Sequence, residues 1–190
     1  MSNLPHAVFL DRDGTVMEDA HYIKSPARVR LLPGAAAAIK KLNDAKILVI
    51  VVTNQSGIGR GLISVADYEA VRNRFHELLS DHGAHIDASY FCPERPDQPN
   101  ASGCRKPATK MFEDAIRDFS IDPEQAAYIG DRWRDVSPST KLGGRAIMID
   151  SPMTTHDDRR QARENGIATA ASLQEAVNLL LGLTRPESAP

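Results

Sequence analysis

The sequence predicts an α/β protein with a three-layer, Rossmann-like parallel sheet that carries helices on both faces. Short apolar runs that end in turn residues alternate with segments of helical periodicity along the 190-residue chain. This alternation is typical of βαβ units, in which each crossover packs a helix back onto a parallel sheet. The longest strongly apolar run, Ile47 to Val52, is far shorter than the ~20 residues that span a membrane.

The predicted strands are short, mostly rich in Val and Ile, and followed by turn residues. Five segments fit this description: Ala7–Leu10, Ile47–Thr53, Ile86–Phe91, Ala126–Ile129 and Arg145–Ile149.

Helices are predicted where capping residues stand beside an amphipathic pattern. Ser64 and Asp67 have the spacing of a capping box before a helix that runs to about Asp81, and Gly83 follows as a C-cap glycine. Asp122-Pro123 has the form of an N-cap followed by proline at the first helical position. The other predicted helices are Ala35–Asn43, Met111–Phe119, one beginning in Asp157–Arg160, and Leu173–Leu181.

Composition indicates one ordinary globular domain, since 42% of the residues are apolar and 25% are charged. We expect this domain to occupy residues 1–183, followed by a flexible tail at 184–190.

The net charge of −2 gives no reason to expect a nucleic acid or a membrane surface as partner. Asp11 leaves no room for a signal peptide, and two cysteines suit a reducing compartment. We therefore expect a cytoplasmic monomer.

Two carboxylates directly follow the first predicted strand. Ligands of parallel α/β sheets bind beyond the carboxyl ends of the strands, where Asp11 and Asp13 would lie. Carboxylates so close repel each other unless a cation lies between them, and an all-oxygen site of this kind suits Mg²⁺. Considered alone, the same residues could form an ordinary polar turn.

Three further elements lie at or just after probable strand ends. Thr53 is followed by backbone amides able to hold an anion, Lys106 precedes a helix, and Asp131 ends another strand with Asp135 four residues later. The glycines that follow Thr53 do not have the dinucleotide-binding spacing. Phosphoryl transfer requires metal ligands, a hydroxyl, backbone amides that bind an anion and a positioned cation. The residues at these strand ends supply all four.

These motifs occur in the order found in the haloacid-dehalogenase-like (HAD) phosphohydrolases, which the sequence resembles over about residues 6–150. Thr53–Ile58 and Cys104–Pro107 are similar to the branch that holds heptose 1,7-bisphosphate phosphatases and histidinol-phosphate phosphatases. Asp19–Tyr22 is similar to a loop of the heptose bisphosphate enzymes.

The resemblance implies a role for each motif. Asp11 would attack phosphorus to form an aspartyl-phosphate, and Asp13 would act as general acid and then base. Mg²⁺ would be held by the Asp11 carboxylate, the Asp13 main-chain carbonyl and Asp131, with Asp135 as an orienting partner. Thr53 and Lys106 would bind the transferring phosphoryl group. The implied substrate contacts are Asp19, His21, Tyr22, Asn54, Gln55, Ser56 and Arg105, the last suited to a second phosphate.

The sequence departs from this branch in a cysteine loop that usually binds zinc. Cys92 and Cys104 remain, but Glu94 and Ser102 replace a histidine and a cysteine. Such a set does not make a convincing zinc site, so we expect no zinc and two thiols. A disulfide between them is the alternative, which geometry allows and a reducing compartment disfavours. No segment between the motifs is long enough for the separate cap domain that many HAD enzymes carry.

The resemblance predicts a Mg²⁺-dependent phosphatase of a phosphorylated sugar, with D-glycero-D-manno-heptose 1,7-bisphosphate losing its 7-phosphate. The alternative is a histidinol-phosphate phosphatase. A nucleic-acid 3′-phosphatase is disfavoured by the lack of excess basic charge, and a non-catalytic phosphosugar-binding module by the presence of both Asp11 and Asp13.

Overall fold

A computed structural model of the chain describes residues 4–99 and 101–183. Six parallel strands form one sheet in the order β3-β2-β1-β4-β5-β6. Chain order reverses between β1 and β4, and such a switch point leaves a crevice at the carboxyl ends of the strands. The strands are β1 (Ala7–Leu10), β2 (Leu48–Asn54), β3 (Ala88–Cys92), β4 (Ala126–Gly130), β5 (Arg145–Ile149) and β6 (Ala168–Ala170).

Eight α-helices are present in the described part of the chain, together with 3₁₀ turns at Pro26–Arg28 and Pro123–Gln125. Several begin with the predicted side-chain caps, such as the reciprocal hydrogen bonds of Ser64 and Asp67. The helices are α1 (Ala35–Asp44), α2 (Ser56–Gly59), α3 (Val65–Ser80), α4 (Lys110–Phe119), α5 (Trp133–Val136), α6 (Ser139–Leu142), α7 (His156–Glu164) and α8 (Leu173–Leu180).

The sheet is covered on both faces, as predicted. Alternate residues of β1 point to opposite sides, so Val8 and Leu10 pack against α1, α3 and α8. Phe9 lies on the other face against α4, where its ring meets Phe112 edge-on with centroids 5.3 Å apart. The α/β fold with three layers is therefore confirmed.

All five predicted strands are confirmed within two residues at each end. The sixth, Ala168–Ala170, was missed because it has three residues, lacks Val and Ile, and is largely exposed. The N-cap predicted at Asp122-Pro123 is confirmed, but it begins only one 3₁₀ turn, because β4 starts immediately afterwards.

No separately folded cap lies over the carboxyl ends of the strands in the described residues. The chain from β1 to β2 holds a loop, a 3₁₀ turn and α1, and the chain from β2 to β3 holds α2 and α3. Among the described helices, none is long and apolar enough to cross a membrane. The predicted tail at 184–190 lies outside the described residues.

Candidate active site

A buried cluster of charges forms where β1, β2 and β4 end. The ammonium group of Lys106 lies 2.7 Å from a carboxylate oxygen of Asp11 and 2.7 Å from one of Asp135. It donates hydrogen bonds to that Asp11 oxygen and, at 2.6 Å, to the carbonyl oxygen of Val52, while its contact with Asp135 is an ion pair. The cluster joins three separate segments of the chain, and its charged residues are each nine-tenths buried or more: Asp11, Lys106, Asp131 and Asp135.

Asn54 holds the Lys106 backbone in place. Its side-chain nitrogen donates to the Lys106 carbonyl at 3.2 Å, and its side-chain oxygen accepts from the Lys106 amide at 3.0 Å. Asn54 was predicted to contact substrate. It does line the cleft beside the cluster, but its amide is engaged in positioning Lys106.

The cluster has a deficit of positive charge. Burial raises the pKa of Asp11 to about 7, with Lys106 opposing the shift and neighbouring carboxylates adding to it. Burial, and then Asp135, raises the pKa of Asp131 to about 6. Burial alone would lower the pKa of Lys106, but Asp11 and Asp135 outweigh it, and the net direction is upward.

These residues fit a divalent cation. Carboxylate oxygens of Asp11, Asp131 and Asp135 lie within 4.8 Å of one another. Three carboxylates against the one ammonium of Lys106 leave a formal charge of −2, which a divalent ion would neutralise. An all-oxygen donor set is the kind that Mg²⁺ prefers.

The stabilising effect of Mg²⁺ should depend on pH. A carboxyl group whose pKa is raised on folding favours the folded state below its unfolded pKa, here 3.8, and loses that contribution as pH rises through the folded pKa, about 6 for Asp131 and about 7 for Asp11. Protons therefore compete with the metal in this window. We expect Mg²⁺ to raise the melting temperature more at about pH 8 than at about pH 5.5. Equal shifts at both pH values, measured against NaCl of matched ionic strength, would contradict this expectation.

The Asp13 carboxylate is held by a second group of side chains. The guanidinium of Arg12 donates to both of its oxygens, with Nη2 at 3.0 Å, and the side-chain nitrogen of Gln55 donates at 2.7 Å. Gln55 also donates to the hydroxyl oxygen of Thr53 at 2.9 Å. Arg12 in turn lies over the ring of Tyr68, 5.4 Å from its centroid. The predicted residues Asp13, Thr53 and Gln55 therefore form one hydrogen-bonded group.

The Asp131 carboxylate has its own supports. The hydroxyl of Ser151, just after β5, donates to it at 3.1 Å, and the hydroxyl of Thr154 contacts the Asp131 carbonyl at 2.8 Å. Gly14 packs so closely that a Cβ there would lie 2.7 Å from an Asp131 oxygen, and its φ of +87° also favours glycine. Asp158 anchors the following turn by accepting from Arg132 and from the Trp133 amide.

A polar cleft of about 270 Å³ opens from Asp11 and Asp13 to the surface. His21 and Tyr22, on its rim, have φ values of +40° and +51°, an uncommon conformation for such residues that recurs at functional sites. A Cβ on Gly57 would lie 2.5 Å from the Tyr22 ring, so that glycine lets the ring settle against α2. The predicted substrate contacts all line this cleft: Asp19, His21, Tyr22, Asn54, Gln55, Ser56 and Arg105.

The loop between β3 and α4 contradicts the expectation of two thiols. Cys92 and Cys104 form a disulfide, so neither offers a thiolate to zinc. Glu94 and Ser102 stabilise the loop through the Ser102 amide, which donates to Glu94 at 2.9 Å. Arg105 donates to the Glu94 carbonyl at 2.9 Å. The disulfide forms because the end of β3 and the residue before Arg105 lie side by side, with Cα atoms 5.5 Å apart, which spacing in the chain does not reveal.

Removing this cross-link should lower stability. The disulfide spans a sequence separation of 12, and a loop of that size predicts that Cys104→Ser unfolds with about 2–4 kcal/mol less free energy than the oxidised protein. Urea unfolding measures the difference. The wild-type protein unfolded in excess dithiothreitol should show the same loss, and a wild type indifferent to the reductant would rule out a stabilising disulfide.

Several residues of the site were not predicted. Arg12 and Arg134 lie inside the recognised motifs and could have been suspected from their neighbours. Ser151 and Thr154 follow β5, so the rule that ligands bind beyond the carboxyl ends of parallel strands could have indicated them. The spacing of Thr155 and Asp158 is that of a capping box, which could have indicated Asp158.

Comparison with known proteins supports the interpretation of this cluster and cleft as a phosphatase site. The model of the HAD-hydrolase-like family matches residues 103–176. A D-glycero-β-D-manno-heptose-1,7-bisphosphate 7-phosphatase of Bordetella bronchiseptica is 36% identical over 137 residues, covering 72% of this chain and 75% of that protein. One from Photorhabdus laumondii is 32% identical and covers 90% of this chain and 94% of its own.

The solved structures agree. The crystal structure of D,D-heptose 1,7-bisphosphate phosphatase from B. bronchiseptica, complexed with magnesium and phosphate, has a TM-score of 0.81 at 31% identity and covers 94% of this chain and 99% of that one. With the four motifs brought together at one edge of the sheet, these similarities show that the chain belongs to the HAD-like hydrolase family and is a phosphoric monoester hydrolase.

Proposed function

We propose that this phosphatase removes the 7-phosphate of D-glycero-D-manno-heptose 1,7-bisphosphate. The observation that carries the proposal is one cleft in which the Asp11 and Asp13 carboxylates and the Arg105 guanidinium all line the wall. Such a cleft offers a nucleophile for one phosphate and a cation for another. The relatives named above, which are 36% and 32% identical to this chain over the aligned residues, support the choice of sugar.

We assign the chemical steps to two carboxylates. Asp11 attacks phosphorus, the bond to the sugar oxygen breaks, and an aspartyl-phosphate forms, which water then hydrolyses. Asp13 gives a proton to the departing sugar oxygen and later takes one from the attacking water. Arg12, Gln55 and Thr53 hold Asp13 in reach of the cleft. Lys106 orients Asp11 and places positive charge beside the transferring group.

The carboxylates of Asp11 and Asp131 and the main-chain carbonyl of Asp13 would hold Mg²⁺, with Asp135 orienting Lys106. When bound, the ion supplies positive charge that offsets the negative charge of the phosphate group. Ser151 and Thr154 keep Asp131 directed into the site.

The experiment is a comparison of phosphate release from heptose 1,7-bisphosphate, fructose 1,6-bisphosphate and histidinol phosphate. We expect the highest kcat/KM on heptose bisphosphate. A higher kcat/KM on histidinol phosphate would overturn the substrate and leave the chemistry of Asp11 and Asp13 intact.

We further propose that the enzyme acts as a cytoplasmic monomer on this small substrate and not on nucleic acid. The overall net charge of −2 and the local placement of the cleft cations support a small substrate over nucleic acid. A cytoplasmic location would oppose the Cys92–Cys104 disulfide. Thiol titration of protein isolated under rapid alkylation would show which state is present, and size-exclusion chromatography would test the monomer.

A further inference from the structure

Arg134 is a cation of the cleft that the proposed mechanism does not use. It lies in the short helix α5, directly before Asp135, and its side chain lines the same wall as Arg105. About two fifths of this side chain is exposed, so the guanidinium reaches the solvent of the cleft while its base is covered. A group so placed can meet a ligand without any rearrangement of the fold.

The hydrogen-bonding capacity of Arg134 is only partly used. Its Nε is buried without a hydrogen-bond partner among the described residues, and the nearest Asp135 oxygen is 3.8 Å away, too far for a hydrogen bond. A buried donor without an acceptor is costly. The fork of an arginine is best satisfied by a planar or tetrahedral oxyanion that accepts two N–H groups at once.

Arg134 and Arg105 lie close enough to repel each other. Burial lowers the pKa of Arg105, and the positive charges of Arg134 and then Arg60 lower it further. The pKa of Arg134 itself is raised, because the Asp135, Asp11 and Asp131 carboxylates outweigh its burial, so the unfavourable charge falls on Arg105. A doubly charged oxyanion bound between the two guanidinium groups would therefore offset the repulsion on Arg105 and offer an acceptor to the Nε of Arg134.

We propose that Arg134, together with Arg105, binds the phosphate of the substrate that is not cleaved, and that it thereby sets the preference for a bisphosphate over a monophosphate. The inference rests on the proposed function, since it needs a substrate with two phosphates. Arg134 is then a specificity-determining residue. It contributes to binding of the distant phosphate, while Asp11 and Asp13 act on the transferred one.

The test compares Arg134→Gln and Arg134→Lys on two substrates, heptose 1,7-bisphosphate and heptose 7-phosphate. The measured quantity is the ratio of kcat/KM for the bisphosphate to that for the monophosphate. We expect Arg134→Gln to lower this ratio at least about tenfold, mainly through KM, because a distant binding contact is lost. The ratio for Arg134→Lys should lie between those of Arg134→Gln and the wild type, since lysine keeps the positive charge but lacks the planar guanidinium that donates two parallel hydrogen bonds.

Arg163→Gln is the matched control, because Arg163 is an exposed arginine of α7 outside the cleft, and its ratio should equal that of the wild type. Equal losses on both substrates would overturn the proposal and assign Arg134 to the transferred phosphate. An unchanged ratio of kcat/KM in Arg134→Gln would overturn the proposal as well. If Arg134→Gln does not fold, the same ratio measured in Arg134→Lys tests the proposal. A wild-type enzyme without any preference for the bisphosphate would instead refute the proposed function.

Discussion

Replacing Asp11 with asparagine should abolish turnover, with kcat lower by roughly 10⁴-fold or more, the scale on which loss of a covalent nucleophile acts. An amide does not attack phosphorus, so no aspartyl-phosphate can form. Phosphate release and acid trapping of the phosphorylated enzyme measure the effect. Asp44→Asn is the matched control, because Asp44 lies exposed on α1 and pairs with Lys40, far from the cluster in the described structure. An Asp11→Asn protein with full turnover would refute covalent catalysis through this residue.

The same variant should still fold. Burial raises the pKa of Asp11 to about 7, so the fold already disfavours a negative charge at this position. Lys106 keeps Asp135 and the Val52 carbonyl as partners when Asp11 is neutral. We therefore expect Asp11→Asn to be at least as stable as the wild type to urea at about pH 8 in EDTA, where the carboxylates are charged. A large loss of stability would mean that the Asp11–Lys106 pair outweighs the desolvation of the carboxylate.

Lys106→Met should produce the largest loss of stability among the variants considered. The lysine is almost fully buried between Asp11 and Asp135, and its removal leaves two buried carboxylates without their common partner. Removing one partner of a buried ion pair costs about 3–5 kcal/mol. We therefore expect the free energy of unfolding of Lys106→Met in EDTA to be lower than that of the wild type by about this amount. Mg²⁺ should restore part of this loss, because a divalent cation replaces the missing positive charge.

Urea unfolding with and without Mg²⁺ measures both effects. Lys40→Met is the control, since Lys40 forms an exposed pair with Asp44 one helical turn away, worth no more than about 0.5 kcal/mol. Similar losses in Lys106→Met and Lys40→Met would show that the buried cluster adds nothing to stability. A Lys106→Met protein that Mg²⁺ destabilises would contradict the charge deficit of the cluster.

Local pattern was sufficient for most of the fold. A run such as Ile47–Thr53 is apolar on both faces, and only a central strand of a covered sheet buries such a run. Capping residues marked the starts of α3 and α8 because they satisfy backbone groups within one turn. The exposed strand β6 left no such pattern, and its place at the edge depends on pairing with β5.

The site was predictable to the extent that strand ends determine it. Asp11 and Asp131 each follow a strand, Thr53 is the penultimate residue of β2, and parallel strands bring their carboxyl ends to one edge. Partners within this set were not predictable. That Asn54 holds the Lys106 backbone, or that Gln55 joins Thr53 to Asp13, depends on distances across the sheet and not along the chain.

The amino-acid sequence was enough to predict the α/β class, the family and the residues that we propose to carry the chemistry, because each of these predictions depends on short motifs with local physical requirements. The pairing of Lys106 with Asp11, the closure of the Cys92–Cys104 disulfide and the approach of Arg134 to Arg105 emerged only from the folded chain. Strand order and crossovers decide which distant residues meet. Burial of these residues and the charges beside them then decide in which direction the pKa of each group shifts. Those shifts determine which groups are charged when substrate binds.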